Sequence, residues 1–211
     1  MKLINIDEWE RKQHFNFFKN LDSPYFSITG NLDITNFYRY IKENNLRFFI
    51  PSLYAATKTA NDIREFRYRI RGDQVIEHDT VNPSFTVLTD QQLFSICSVP
   101  YLSDFQLFLE EADHVITKAK HETSLATEPE RDDLVYMTCI PWVSFTAVSH
   151  PVNLHPADSI PRIAWGKYFG EGDRFKMPLS VQGHHALLDG FHIGQYFELL
   201  QRLFDQPDIF L

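Results

Sequence analysis

Only two cysteines occur in the 211 residues, Cys97 and Cys139. They lie far apart in apolar, strand-like runs where a single thiol packs as a small hydrophobe, so no disulfide framework is implied and neither is marked as a nucleophile. Basic charge is also scarce: 20 Lys and Arg against 28 Asp and Glu leave a net charge of −8. Nucleic acid and anionic membranes both need a basic face, so neither is an expected partner. No run approaches the roughly 20 apolar residues of a membrane span, and the N-terminus has no signal-peptide core. The expected compartment is therefore the cytoplasm. Linkers, repeats and low-complexity segments are missing too, and residues 1–211 are expected to form one domain, long enough to bury its own core without metal or disulfide staples.

Aromatic residues are abundant, at 15% with nineteen Phe. That suits a flat apolar pocket or a subunit interface, with core packing as the default use. The pattern mixes helices and strands without strict alternation. Helices are expected from Asp7, with Glu10 completing a capping box; from Asp33; from Pro51; and from Ser103, with Gln106 completing a second box. Strands are expected at 25–28, 67–70, 75–78, 85–89, 93–99, 134–140, 143–149, 163–168 and 174–182, with a long surface loop from His121 to Asp133. The fold class is α/β of the α+β type: a two-layer sandwich of helices on a mixed β-sheet.

Ionisable residues concentrate where the last strand gives way to the last helix, in Gln182-Gly183-His184-His185-Ala186-Leu187-Leu188-Asp189-Gly190-Phe191-His192. Such a cluster can ligate a metal, hold a general base, or end a strand and cap a helix. The spacing argues against a metal, because no His pair stands at i, i+4 and no Cys, Glu or further His completes a zinc pattern. Asp189-Gly190 before an apolar-periodic stripe reads as a helix cap. His185, at a sheet edge, stays open between catalytic and structural use.

The string from His184 to His192 resembles the His-His-x-x-x-Asp-Gly motif of the CoA-dependent acyltransferases, and the longer run resembles the trimeric chloramphenicol acetyltransferases. Trp9-Glu10-Arg11-Lys12-Gln13-His14-Phe15, Leu32-Asp33-Ile34-Thr35, Pro83-Ser84-Phe85-Thr86-Val87, Pro141-Trp142-Val143-Ser144-Phe145-Thr146, and Gly166-Lys167-Tyr168 with Gly172-Asp173 follow in that family's order. The resemblance implies acetyl transfer from acetyl-CoA, as co-substrate and without a metal, to a hydroxyl of chloramphenicol or a similar small molecule. It implies His185 as general base, Asp189 paired with Arg11 in structural support, Tyr25 and Phe85 in the acceptor pocket, and Lys167 and Tyr168 on CoA. It also implies a homotrimer, each pocket built partly by the neighbouring subunit. His14, His184 and His192 are read as structural.

Two positions depart from the family. Ala147 falls where it has a serine oxyanion donor, and Ala164 where it has a threonine. In the expected strand 143–149, Ser149 shares the face of Ala147 but stands about 7 Å along it, and Thr146 points to the opposite face. Two rivals stay open: a relative with another acceptor, such as a dihydrolipoamide acyltransferase, and a CoA-binding relative of weak or no turnover.

Overall fold

The computed structural model describes residues 1–125, 130–154 and 156–211. Ten strands and five α-helices follow in the order β1 (Lys2–Leu3), α1 (Lys12–Phe18), β2 (Tyr25–Asp33), α2 (Thr35–Glu43), α3 (Phe49–Asp62), β3 (Tyr68–Arg71), β4 (Gln74–Glu77), β5 (Asn82–Leu88), β6 (Phe94–Ser98), α4 (Phe105–His121), β7 (Leu134–Ile140), β8 (Arg162–Gly166), β9 (Phe169–Glu171), β10 (Arg174–His184) and α5 (Gly190–Asp205). The main sheet runs β2-β10-β8-β7-β5-β6, with β9 hooked onto β10; β1-β4-β3 form a small second sheet. Only β5–β7 and β7–β8 are parallel, so the sheet is mixed, as the sequence pattern leads one to expect.

Period-2 alternation gives this sheet two unlike faces. Val135, Met137, Ile163, Trp165, Leu179 and Val181 point to one side, where they form the main core with α2, α3, α4 and α5. The opposite side carries Thr86, Tyr136, Thr138, Arg162, Ser180, Gln182 and His184, in register across four strands. Arg162, Ser180, Gln182 and His184 are nonetheless buried.

The described residues of 141–161 lie in irregular loops apart from one isolated bridge, and the strand expected at 143–149 does not form. The preceding strand, β7, lies inside the sheet with β5 and β8 on its two sides, so the chain leaving it cannot fold back to pair with β7. The Val143 carbonyl instead accepts the Lys167 N–H at 2.9 Å. Strand spacing therefore says nothing about Ala147, Thr146 and Ser149, all of which are exposed loop residues.

Two helix caps differ from the expected ones. The first helix starts five residues after Asp7, which forms an ion pair with Lys12 at 2.7 Å rather than a capping box. At the fourth, Asp104 rather than Ser103 is the N-cap, accepting from the Gln106 and Leu107 amides at 2.9 and 3.1 Å; a carboxylate one step nearer the helix outcompetes the hydroxyl. Part of the loop expected at His121–Asp133 lies outside the described residues.

The bend between β10 and α5 is fixed by where its apolar residues go. Ala186 and Leu187 are buried in a small core with Phe15 of α1, Tyr68 and Val75, while Leu188 belongs to the main core. Gly183 permits this crossing, because a Cβ there would stand 2.4 Å from the Leu188 side chain. The histidine pair is thus held between two cores.

Candidate active site

His185 leaves β10 with its amide donating to the Pro24 carbonyl at 2.7 Å. Its imidazole stacks on Phe18, with ring centroids 4.0 Å apart and planes 4° from parallel. Phe26 closes in from another side at 4.4 Å. Nδ1 is buried without a hydrogen-bond partner, so Nε2 is the nitrogen left for chemistry. Phe18 was not singled out by the sequence reading. The available signal was helical spacing, since Arg11, Phe15 and Phe18 fall on one stripe and all three touch the histidine segment or its core.

Asp189 and Arg11 meet, with Arg11 Nη1 donating to Asp189 Oδ2 at 2.7 Å. Arg11 Nη2 also reaches the His185 carbonyl at 3.5 Å, a marginal contact. Burial works against the Asp189 charge, but the Arg11 hydrogen bond together with His192 and Arg11 charge outweighs it, and the carboxyl is held below its ordinary range. The other carboxylate oxygen caps α5 by accepting the Phe191 amide at 3.0 Å. His192 Nδ1 completes a capping box by accepting the Asp189 amide at 3.1 Å. Asp189 thus joins the first helix, the histidine bend and the last helix, and the four-residue step from His185 carries its carboxylate to Arg11.

His184 is buried, and its Nδ1 accepts the Ala186 amide at 3.3 Å. Burial pushes its pKa down to about 4 against a partly compensating Asp158 charge. Tyr25 packs edge-on to His184 at 5.6 Å, and its hydroxyl lies 2.9 and 2.8 Å from the Asn153 and Asp158 carbonyls. Burial, then the Asp158 charge, push that hydroxyl up to about 12. Tyr25 therefore ties the covering loop to the start of β2.

The remaining expected residues lie elsewhere. A cavity of about 1510 Å³ opens around β5, β6, β7 and the segment after it, and Phe85, Lys167 and Tyr168 line it. Phe85 is fully buried with its ring 5.6 Å from Phe49. Lys167 is exposed and forms no ion pair among the described residues. The Tyr168 ring packs against Tyr38 and Phe48, and a hydrogen bond with Tyr38, then burial, raise its pKa. Ala164 is buried between Thr138 and Ser180 in the sheet.

His185 is not among the residues that line this cavity. It packs on the side of the sheet where Phe26, Ile28 and Gly30 face α5, whereas Tyr136, Thr138 and Arg162 meet the cavity from the other side. One chain thus presents a fixed imidazole in one place and a large open cavity in another. Among the described residues no group of three or more His, Cys, Asp or Glu is placed to share a metal ion, and no helix is long and apolar enough to cross a membrane.

Comparison with known proteins extends these observations over the chain. The family described as chloramphenicol acetyltransferase matches residues 1–201. The chain is 33% identical to chloramphenicol acetyltransferase 3 of Escherichia coli over 204 residues, 95% of each protein. It is 30% identical to a chloramphenicol acetyltransferase of Staphylococcus aureus, over 99% of this chain and 97% of that one. A solved chloramphenicol acetyltransferase superposes with a TM-score of 0.89 over 97% of this chain and 100% of the other, at 29% identity. A probable dihydrolipoamide acetyltransferase from Listeria monocytogenes shares the fold, with a TM-score of 0.67 at 17% identity, over 92% and 89% of the two chains. The fixed histidine bend, its Arg11–Asp189 brace and the sandwich that carries them are those of a chain that belongs to the chloramphenicol acetyltransferase family.

Proposed function

We propose that this protein transfers the acetyl group of acetyl-CoA to a hydroxyl of chloramphenicol, in one domain that assembles as a homotrimer. The observation that carries the reading is the imidazole of His185, clamped between Phe18 and Phe26 with one nitrogen closed in and the other left for chemistry. Direct transfer needs no protein nucleophile. It needs a base for the hydroxyl proton and a site that aligns two substrates.

The acceptor oxygen attacks the thioester carbonyl as its proton passes to His185 Nε2. Collapse of the tetrahedral intermediate breaks the C–S bond, and the thiolate takes the proton back from Nε2. Using Nε2 as base places the resting proton on Nδ1, which has no partner, at a cost of about 1–3 kcal/mol. The hydrogen bond from the acceptor hydroxyl to Nε2 offsets that cost when the acceptor binds. Lys167 meets the CoA phosphates and Tyr168 packs beside them, while Phe85 and Tyr25 support the acceptor pocket.

The separation of imidazole and cavity supports the trimer. Phe17, beside Phe18, is exposed, as is Phe191, beside Gly190; Trp142 is exposed at the cavity, with exposed Val143 next to it in sequence. Two apolar surfaces, one at each half of the site, suit each other in neighbouring copies. A different hydroxyl acceptor is the second reading, favoured by the absence of a side-chain hydroxyl at Ala147 and Ala164 in the cavity half.

The test is acetyl-CoA-dependent release of free thiol with and without chloramphenicol. Chloramphenicol-dependent release is expected, falling on the order of 10⁴-fold in His185→Ala with the fold intact. Release that does not depend on chloramphenicol, or survives in the variant, contradicts the reading.

A further inference from the structure

Acyl transfer also needs a donor for the oxyanion that forms on the thioester carbonyl. The cavity wall holds several polar side chains, and most are committed or exposed. Arg162 is engaged by both oxygens of Asp158, at 3.0 and 2.6 Å, and by the Ile160 carbonyl. Ser149 and Lys167 are exposed, where water competes for whatever they donate to.

His150 is different. It lines the cavity on the loop that covers the polar sheet face, and it is partly buried there. Its Nε2 is enclosed by protein with no hydrogen-bond partner, leaving Nδ1 as the open nitrogen. Burial, then the nearby Arg162 charge, hold the ring's pKa below its ordinary value, so it is neutral at pH 7. A neutral imidazole carries one proton, and a buried N–H without an acceptor costs more than an unfilled lone pair. The proton therefore rests on Nδ1, and His150 presents an N–H donor.

Resting on the acetyl-transfer reading above, we infer that His150 is a catalytic residue of this chain, its Nδ1–H stabilising the thioester oxyanion in the cavity. The tautomer that His150 favours at rest is also the one an oxyanion requires, whereas His185 reaches its working tautomer only with an acceptor bound. The electron pair of the carbonyl π bond moves onto oxygen as the acceptor oxygen bonds to carbon. His150 donates to that oxygen until the pair returns and the C–S bond breaks, and it keeps its proton throughout.

The experiment compares His150→Leu, which keeps bulk and loses the donor, with His150→Gln, which keeps an N–H donor. The readouts are steady-state kinetics with acetyl-CoA and chloramphenicol, and trimer content. His150→Leu is expected to lose on the order of 10² to 10³ in kcat, with either KM changed less than about threefold and the trimer intact. His150→Gln is expected to recover at least about tenfold of that loss. Ala147→Ser added to His150→Leu places a hydroxyl three residues away on the same loop and is expected to restore part of kcat. An unchanged kcat in His150→Leu overturns the inference, as does an equal loss in Leu and Gln variants or a loss explained by dissociated trimers. Wild-type protein that shows no transfer, tested in the same assay, instead defeats the acetyl-transfer reading itself.

Discussion

The two halves of the site are built on opposite plans. Around His185 the polar groups are mostly committed: Asp189 is shared by Arg11 and a helix cap, His192 and His184 each accept a backbone amide, and two phenyl rings fix the base, which leaves His185 Nδ1 and Arg11 Nε without partners among the described residues. Around the cavity the wall is wide and exposed at Trp142, and among the described residues it carries an unpaired cation at Lys167 and an orphaned nitrogen at His150. The first plan suits a group that must hold a geometry to fractions of an ångström. The second suits a surface that other molecules complete. A mutation in the first half should therefore cost stability together with rate, and one in the second should cost binding or rate alone.

The largest expected effect comes from pH. His184 has an ordinary pKa near 6.5 when unfolded and about 4 when folded. The unfolded chain binds the proton first, so the stability His184 contributes is fully present above about pH 6.5 and is lost as pH falls toward 4, by up to about 3 kcal/mol. Urea unfolding at pH 7 and pH 4.5 should show this fall, and His184→Asn should reduce the difference, leaving the share of His78 and His150, whose pKa values burial also lowers. Asp189 adds a loss only at lower pH, because its folded carboxyl is held below the ordinary range. If the pH dependence is the same in the variant, the packed half is not organised as described.

Arg11→Ala is next, leaving a partly buried Asp189 charge without its partner. Discounted for the exposure of both side chains, the expected cost is about 2 kcal/mol of stability with a fall in kcat. Phe18→Ala follows, at about 1–2 kcal/mol from the lost ring contact, with kcat lowered about tenfold as the imidazole gains freedom. Lys167→Ala sharpens the contrast: it should raise the KM for acetyl-CoA several-fold and leave the unfolding midpoint unchanged.

Much of the packed half was legible in the sequence, because it is local. Asp189-Gly190 before the stripe Ile193, Tyr196 and Leu200 announces a capped helix, and the structure caps it that way. Asp189 with Arg11 is a long-range pair that only the family resemblance suggested. The cavity half was poorly legible. Val143, Phe145 and Ala147 alternate like strand residues, but the strand they follow is already paired on both sides, and which strands end up interior is a property of the whole topology. The polar sheet face was hidden for a related reason: alternation shows which residues share a face, not that the loop 141–161 will cover it. Phe18 and His150 were missed because their roles depend on contacts between segments far apart in sequence.

If His185 of one copy works in the cavity of another, two inactive variants should complement each other when mixed. His185→Ala removes the base, and Thr138→Trp fills the cavity from a half-buried strand position. Co-expressed in equal amounts, they should form trimers in which about a quarter of the interfaces pair an intact imidazole with an intact cavity, and activity should return to about a quarter of wild type. Mixed trimers with no recovered activity would place the imidazole and the cavity of a working site in the same chain and contradict the account.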